Sequence, residues 1–423
     1  MQHSAVEALG VQRRTMPELE ERPVLAMDRT DPRVWPEGLY LHLPFCAALC
    51  TYCDFASEVY SFDRPRRYLT VLEKELEQRV AVLCPAPTSF APRTIFLGGG
   101  TPSALSSPEL NWFFDMLARH VDFSRLEEFT LEANPGSTDA KKLELLLKRG
   151  VNRISFGVQS FQPHLLKLLG RIHGADQGRE AVALARSAGF SNVSIDLMHG
   201  LPGQSRDDLA RDLDEALKLR TEHISAYGLI YEDGTPLTRA TQAGKVERLT
   251  SEEEAAHYRQ VMDTLAAGGL PQYEVSNYAR PGFEARHNII YWRNEAYLAA
   301  GVSAAGYVKF ERATNHYAMD SYMEAVERGA DPIAVRESLT PEARARESLV
   351  LELRLLRGVD AAEFRERWGL DIERDPQVSA VLEKYCSVGL LERRETQPPD
   401  SRYRWRVTRE GLPVCDGIFS ELI

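Results

Sequence analysis

Short apolar runs of the β-strand type alternate along the chain with longer amphipathic segments of the helical type. The alternation begins at Gly38 and continues through six strand-like runs: Leu39–Leu43, Thr94–Leu97, Phe129–Glu132, Arg153–Gly157, Val193–Leu197 and His223–Tyr227. The helical segments between and after them are Arg66–Val82, Pro108–His120, Thr138–Arg149, Asp176–Ala188, Arg206–Leu219 and Ser251–Ala267. Strands that alternate with helices in this way predict an α/β fold built from βαβ units with parallel strands.

Six such units are fewer than the eight of a closed (β/α)₈ barrel. A doubly wound sheet and an open, partial (β/α)₆ barrel of the TIM type both remain, and the spacing of the units alone does not separate them. In either fold the carboxyl ends of parallel strands converge on one edge, where binding sites are built. Nearly every chemically suggestive residue follows one of these strands, so we expect a site at that edge.

The rest of the chain divides into segments with other patterns. Residues 1–36 are rich in charges and proline and predict a poorly ordered extension, and residues 37–270 hold the α/β units. Residues 271–336 predict a mixed connecting region. Residues 337–423 predict helices, then a hairpin with a Pro-Pro-Asp turn and a final helix, which resembles a winged helix. Such a domain suggests DNA binding, but in an acidic protein packing or lid duty is favoured.

Composition narrows the class of protein. The 423 residues are 43% hydrophobic and 27% charged, as in a globular protein of two or three domains. No apolar run approaches the roughly 20 residues that cross a bilayer, and the N-terminus has no apolar signal segment. A formal net charge of −11 argues against nucleic acid as a partner. We therefore expect a cytoplasmic protein without a transmembrane segment.

Three of the six cysteines, Cys46, Cys50 and Cys53, follow the first predicted strand within eight residues. Thiolates at this spacing on one loop can bind three irons of a [4Fe–4S] cluster and leave the fourth iron open. The alternatives are three unrelated thiols or part of a zinc site, but zinc sites usually use two paired knuckles and the sequence has only one. The position ahead of a glycine-rich turn favours the cluster. The other cysteines are predicted to be ordinary thiols: Cys84, Cys386 and Cys415.

The glycine-rich turn is Gly98–Pro102 (GGGTP), directly after the second predicted strand. Backbone without side chains lets a ligand approach closely, and its N–H and C=O groups can hold the termini of an amino acid. Polar residues also follow later strands at Glu132, Gln159, Arg171 and Asp196. One such residue alone would be read as a cap or a solvated loop residue. Four in matching positions favour a ligand site.

Together these motifs resemble those of the radical S-adenosylmethionine (SAM) superfamily. Within it, the strings GLYLHLPFC, LEANPG, GVQSF and HNIIYW resemble the oxygen-independent coproporphyrinogen III oxidases and a related group of heme chaperones. The resemblance covers roughly residues 38–420. It implies a [4Fe–4S] cluster whose open iron binds the amino and carboxylate groups of SAM. An electron from the reduced cluster then cleaves the sulfonium bond and produces a deoxyadenosyl radical.

The resemblance also assigns residues to two SAM sites, position by position. It implies that the SAM on the cluster contacts Tyr40, Gly99, Gly100 and Glu132. Positions that line a second SAM site in the oxidases match Tyr52, Thr101, Gln159, Arg171, Asp196 and Gly228. The match at Gly228 is the weakest, because the surrounding string SAYGLIYED differs from the oxidase pattern.

Two features distinguish the oxidases from the chaperones. The oxidases carry a fourth cysteine two positions after the third, where this chain has Phe55. The string HNIIYW matches a chaperone motif linked to heme, in which an imidazole can ligate iron and aromatic faces suit a porphyrin. His287, Tyr291 and Trp292 are therefore candidate heme contacts. The alternatives are a hydrogen-bonded loop histidine and two ordinary core aromatic residues.

The resemblance thus implies a heme chaperone that binds heme and passes it to acceptor proteins, for example respiratory ones. An electron donor such as a flavodoxin or a ferredoxin would reduce its cluster. Two alternatives stay open, an oxygen-independent coproporphyrinogen III oxidase and a radical SAM enzyme that acts on another substrate. One departure concerns Gly301–Gly306 (GVSAAG), where Ser303 stands in place of a glycine of the family and puts the geometry of that loop in doubt.

Overall fold

The computed structural model describes residues 30–84, 89–395 and 403–423, and these divide into two compact units. The first, called here the α/β unit, comprises residues 36–291 and 295–338. The second, the C-terminal unit, comprises residues 339–423 together with 292–294 and the described residues that precede 36. Most of the predicted N-terminal extension and the predicted Pro-Pro-Asp turn lie outside the described residues.

A twelve-stranded sheet forms the α/β unit. Its strands are β1 (Gly38–Leu43), β4 (Thr94–Gly99), β5 (Glu128–Ala133), β6 (Arg153–Gln159), β7 (Val193–His199), β8 (His223–Gly228), β9 (Gln272–Glu274), β10 (Asn277–Ala279), β11 (Tyr297–Ala300), β12 (Ala305–Val308), β13 (Glu311–Asn315) and β14 (Ile333–Ser338). A separate parallel pair consists of β2 (Phe45–Cys46) and β3 (Glu58–Val59). All six predicted strands are present, each within three residues of the predicted bounds.

Ten helices connect these strands in the described part of the α/β unit, the last residue of α9 belonging to the C-terminal unit. They are α1 (Arg64–Leu83), α2 (Ser107–His120), α3 (Ala140–Lys148), α4 (Pro163–Leu168), α5 (Ala175–Ala188), α6 (Arg206–Lys218), α7 (Pro236–Gln242), α8 (Ser251–Ala267), α9 (Arg286–Trp292) and α10 (Met319–Glu327). Local sequence fixes several of the starts. Ser106, Ser205 and Thr250 form capping boxes at α2, α6 and α8, each satisfying backbone N–H groups that a helix start leaves open.

The order of the strands decides between the two predicted folds. The neighbours run β1-β4-β5-β6-β7-β8, all parallel and in the order of the sequence. A doubly wound sheet would reverse its order at a switch point. Because the order never reverses and β1 and β8 pair with other strands, the fold is an open partial barrel, which confirms the predicted class.

Short strands extend this sheet at both edges. β11 pairs in parallel with β1 and leads to the antiparallel strands β12, β13 and β14, while β10 and β9 add antiparallel strands beside β8. The region predicted only as mixed and connecting therefore contributes half of the strands of the sheet. Three to six residues per strand are too few for an alternating pattern to stand out in the sequence.

Alternation along the strands separates an apolar from a polar layer. Leu39 and Leu41 of β1 are fully buried and face the helices, as do Leu131 and the other apolar residues at equivalent positions. Burying each such leucine stabilises the fold by about 2 kcal/mol. The residues between them, including Tyr40 and Glu132, point into the barrel. The partial barrel consequently has a polar interior beneath its carboxyl edge.

The C-terminal unit combines helices with a small sheet. Its helices are α11 (Pro341–Leu353), α12 (Ala361–Trp368), α13 (Pro376–Ser387) and α14 (Cys415–Ser420), and its strands are β15 (Val359–Asp360), β16 (Leu391–Glu395) and β17 (Tyr403–Val407). The strands pair in the order β15-β17-β16, and Leu349, Phe364 and Leu382 are buried at the core. This arrangement of helices and a hairpin confirms the predicted winged-helix-like fold.

Candidate cluster and cofactor site

The three cysteines that follow β1 lie on a loop held from two sides. Cys46 ends β2, and Cys50 and Cys53 follow on the connection to β3; all three are half-buried free thiols. Thr51 donates its N–H to Leu169 O at 3.1 Å and its hydroxyl to Leu168 O at 2.8 Å. On the other side, the carbonyl of Thr51 accepts from the first turn of α7. The loop is therefore fixed between α4 and α7.

Burial favours the protonated form of two thiols of this loop. It raises the pKa of Cys46, and it raises the pKa of Cys53 to about 12, with further contributions from the neighbouring thiolates. Thiolates are the form that binds metal, so a ligand that displaces the protons has to supply the compensating charge. Iron bound to all three sulfurs would do so. The donor set fits a [4Fe–4S] cluster.

Within the described residues, no three His, Cys, Asp or Glu side chains are gathered closely enough to hold a single metal ion. A cluster differs from a single ion because each of the three thiolates binds a separate iron. Ligation of a [4Fe–4S] cluster by the three cysteines stays a prediction.

The turn after β4 needs its glycines for packing. Gly99 has φ +106°, and a Cβ there would come within 2.5 Å of the His42 ring. A Cβ on Gly100 would lie 2.6 Å from the carbonyl carbon of Pro44. The His42 ring itself is fixed, because its Nε2 donates to Ala56 O at 2.8 Å and its Nδ1 accepts from Tyr40 at 3.1 Å. Both glycines thus let the turn pack closely against the end of β1 and the residue that follows it.

Acidic side chains enter the barrel below this turn. Burial, followed by repulsion from Asp196, raises the pKa of Glu132 to about 8, although its carboxylate accepts the N–H of Gly99. Asp196 accepts the hydroxyl of Ser155 at 3.0 Å, and burial raises its pKa as well. Arg153 is buried near both carboxylates, and its Nε has no partner among the described residues. A cationic group bound in this interior would favour the ionised form of both carboxyls.

The corner after β6 brings two further predicted residues beside the cysteines. Gln159 has φ +69° at a β-bulge, a strained conformation for a residue with a side chain. Arg171 donates from Nη2 to Gly157 O at 2.6 Å and from Nη1 to Cys50 Sγ at 3.2 Å. Asp212 of α6 holds the segment in place by accepting the N–H of Phe161 at 2.7 Å. The structure therefore places Gln159 and Arg171 at one corner with the cluster loop.

The remaining residues of the predicted second SAM site lie around the same edge. Thr101 donates its hydroxyl to Cys46 Sγ at 3.5 Å. Tyr52 packs on a buried apolar cluster that includes Leu165 and Met198. Gly228 ends β8, and a Cβ there would lie 3.4 Å from the His199 ring. All the predicted SAM residues thus belong to strands β1 to β8 or to the loops at their carboxyl ends.

The HNIIYW segment lies elsewhere, at the amino ends of the strands. It forms α9, where His287 is fully buried and stacks on Phe96 at 5.3 Å between ring centroids. His287 Nδ1 bonds the hydroxyl of Thr94 at 2.7 Å, and its Nε2 bonds that of Tyr291 at 2.8 Å. Burial lowers the pKa of His287 to about 3, so the ring is neutral. Ligation of heme by His287 stays a prediction and would require one of these bonds to break.

Two residues of that motif, His287 and Tyr291, lie together in the α/β unit. The Tyr291 ring lies 4.5 Å from that of Tyr297, beside His287 in the α/β unit. Trp292 belongs to the C-terminal unit, where the guanidinium of Arg354 lies 5.4 Å from its ring centroid.

The loop with Ser303 keeps a glycine-type backbone despite the substitution. Ser303 has φ +56°, a left-handed conformation that costs a serine about 1 kcal/mol. Gly301 is anchored by Glu75, which accepts its N–H at 2.8 Å, and by Asn315, which donates to its carbonyl at 2.7 Å. Glu75 also pairs with Arg79 at 2.6 Å. Glu75 and Arg153 are both buried in the α/β unit. The sequence analysis missed both residues, because charged residues in a helix or strand usually face solvent.

The α/β unit is an open parallel barrel, with three thiols on the loop after β1 and a glycine turn after β4. These features define a radical SAM protein. The sequence profile of the Radical SAM superfamily matches residues 40–216, and that of the HemN C-terminal domain matches residues 339–414. In the described ranges, none of the helices combines the length and the apolar character that crossing a bilayer requires.

The chain belongs to the family of the heme chaperone HemW. It is 37% identical over 361 residues to the heme chaperone HemW of Bacillus subtilis (strain 168), covering 85% of this chain and 94% of that protein. With the heme chaperone HemW of Lactococcus lactis subsp. lactis (strain IL1403), it shares 36% identity over 391 residues, 92% of this chain and 97% of that protein. The predicted family is confirmed, and the Radical SAM superfamily implies a [4Fe–4S] cluster and SAM as cofactors.

A solved structure supports the fold. The coproporphyrinogen III oxidase HemN of Escherichia coli, a radical SAM enzyme, superposes with a TM-score of 0.78 over 92% of this chain and 90% of that chain. The two sequences are 22% identical, so this likeness concerns the fold alone.

Proposed function

We propose that this protein is a heme chaperone that binds heme and passes it to acceptor proteins. The observation that carries the proposal is the similarity to curated heme chaperones over nearly the whole chain. Acceptors among respiratory proteins, a flavodoxin or ferredoxin as electron donor, and action in the cytoplasm are parts of the same proposal. A reducing compartment suits the free thiols of Cys46, Cys50 and Cys53.

Phe55 supports the chaperone over the oxidase. Its ring occupies the position at which the oxidases have a fourth cysteine, and 56% of its surface is exposed. A phenyl ring cannot ligate iron, so the loop offers a cluster three thiolates. We therefore assign the cluster to Cys46, Cys50 and Cys53.

The polar interior of the barrel supports SAM at the open iron. When bound there, SAM supplies a deoxyadenosyl radical after one-electron reduction. The carboxyl of Glu132 would ionise beside a cationic group of SAM, because an opposite charge favours its charged form, and Tyr40, Gly99 and Gly100 shape the adjoining turn. A second SAM would lie at the corner of Gln159 and Arg171, with these neighbours: Tyr52, Thr101, Asp196 and Gly228.

Heme titration and an enzyme assay together test the proposed function. After anaerobic reconstitution, the protein is titrated with heme while the Soret band is recorded, and loaded protein is mixed with an apo-hemoprotein to follow transfer. The same preparation is incubated with coproporphyrinogen III, SAM and a strong reductant. We expect binding of about one heme per chain, transfer, and no decarboxylation. Formation of protoporphyrinogen IX would favour the oxidase instead.

The role of His287 is tested separately through Tyr291. Tyr291→Phe removes the hydroxyl bonded to Nε2 and leaves the imidazole in place, so it is expected to tighten heme binding if that nitrogen ligates iron. His287→Ala is expected to shift the Soret band. An unchanged band and an unchanged affinity in both variants would show that His287 only closes the amino end of the barrel.

A further inference from the structure

Two side chains at the carboxyl edge of the barrel donate hydrogen bonds to the predicted cluster ligands. The Thr101 hydroxyl donates to Cys46 Sγ at 3.5 Å, and Arg171 Nη1 donates to Cys50 Sγ at 3.2 Å. The resemblance to the oxidases assigns both residues to a second SAM site and gives them no role toward the sulfurs. Their contacts to the sulfurs can therefore affect the properties of a bound cluster.

Contacts within the protein hold the guanidinium of Arg171 in position. Nη2 donates to Gly157 O at 2.6 Å, and the backbone N–H of Arg171 donates to Leu166 O at 2.9 Å. Gly170, at φ +69°, lets this turn approach the cluster loop, where a Cβ would meet Thr51 at 3.1 Å. Two of the three guanidinium nitrogens are thus committed, one to the backbone and one to a sulfur.

The three cysteine sulfurs accept hydrogen bonds from different kinds of donor. Cys50 faces a cationic donor and Cys46 a hydroxyl donor, whereas Cys53 accepts the backbone N–H of Phe55. A fixed positive charge and an N–H donor stabilise a sulfur more strongly as its negative charge increases. Hydrogen bonds to the sulfurs are among the factors that set the potential of an iron–sulfur cluster.

We propose that Arg171 and Thr101 raise the reduction potential of the cluster by stabilising its reduced state. Reduction adds one electron, supplied in the experiment below by dithionite, and converts [4Fe–4S]²⁺ into [4Fe–4S]⁺ with no bond broken. The added negative charge spreads onto the cysteine sulfurs, where these donors meet it. A raised potential makes the cluster easier to reduce and a weaker reductant of SAM.

The inference rests on the proposed ligation by the three cysteines and is tested on the reconstituted full chain. Midpoint potentials are measured by EPR-monitored redox titration, together with iron content, for Arg171→Met, Arg171→Lys and Thr101→Val. The matched control is Arg179→Met, which removes the same charge from α5, where Arg179 pairs with Glu215 at 2.7 Å.

Arg171→Met is expected to lower the ratio of reduced to oxidised cluster at a fixed applied potential about tenfold. This is the effect of losing one hydrogen bond to a charged group, and for one electron it corresponds to a potential lower by about 59 mV. Thr101→Val is expected to shift the potential in the same direction by less, and Arg171→Lys to fall between Arg171→Met and the wild type. The control is expected to match the wild type.

An unchanged potential in Arg171→Met with full iron content would overturn the inference. If Arg171→Met holds no iron, the potentials of Arg171→Lys and Thr101→Val are the test. Wild-type potentials in both of these variants would also overturn the inference. A wild type that assembles no cluster at all would refute the proposed ligation and this inference with it. A loaded wild type with potentials insensitive to the variants would refute the inference alone.

Discussion

Replacing Glu132 with glutamine is expected to make the free energy of unfolding of the SAM-free protein less sensitive to pH. Burial is the main cause that raises the pKa of Glu132 from 4.5 to about 8, and the charge of Asp196 adds to it. Between these two values the folded chain keeps a proton that the unfolded chain has released. The stability that this proton contributes is therefore complete below the unfolded pKa and is lost as the pH rises through the folded pKa.

The size of the effect follows from the separation of the two pKa values. Each pH unit between them changes the free energy of unfolding by about 1.36 kcal/mol. Between about pH 5 and pH 7.5 the wild type should lose at most about 3 kcal/mol through this group. Because part of the Glu132 side chain is open to the barrel cavity, the measured loss is expected below that bound. Glutamine keeps the shape and has no proton to lose.

Urea unfolding of wild type and Glu132→Gln across this pH range measures the difference directly. The matched control is Glu144→Gln on the exposed face of α3, which is expected to follow the wild type at every pH. The difference between Glu132→Gln and the wild type should grow steadily in favour of the variant as the pH rises. A difference that stays constant with pH would refute the assignment of a raised pKa to Glu132.

Three further outcomes are expected. Replacing any of Cys46, Cys50 and Cys53 by alanine should abolish the broad absorption of the reconstituted cluster, whereas Cys386→Ser should retain it; loss in the control would show that the ligands are assigned wrongly. Gly100→Ala should lower the midpoint of thermal unfolding, because its Cβ would lie 2.6 Å from the Pro44 carbonyl carbon; an unchanged midpoint would mean that this turn can shift freely. Asp212→Ala should weaken SAM binding measured by calorimetry and leave the iron content intact, since Asp212 positions the segment after Gln159; unaltered affinity would contradict that role.

Much of the fold could be predicted because the repeated units are locally encoded. Predicted strands such as Val193–Leu197 and helices such as Ser251–Ala267 agree with the structure to within a few residues. In these elements, the apolar periodicity and the capping residues point to the same structure. The edge strands β9 to β14 could not be predicted, since each is short and is stabilised by pairing with a neighbour rather than by its own pattern.

The candidate site was predictable where it follows a strand and not where it depends on distant partners. The cysteines and the glycine turn come directly after β1 and β4, so the sequence places them at the carboxyl edge. Glu75 and Asn315 are 240 residues apart and meet only in the folded chain. The position of His287 is equally hidden, because it depends on α9 leading into β11, which returns to pair with β1.

The location of His287 beneath the barrel has a consequence for how the two cofactors could communicate. Thr94, which holds its ring, begins β4, and Gly99 of the SAM turn ends it, so the two ends are separated by about 17 Å of strand. Hydrogen abstraction requires reacting atoms about 3–3.5 Å apart. The iron of a porphyrin ligated by His287 would therefore lie well beyond that distance from a radical formed beside Gly99. The two sites could then be coupled only by electron transfer or by a displacement of the strands that they share. The barrel would act as a spacer that protects the heme from the radical.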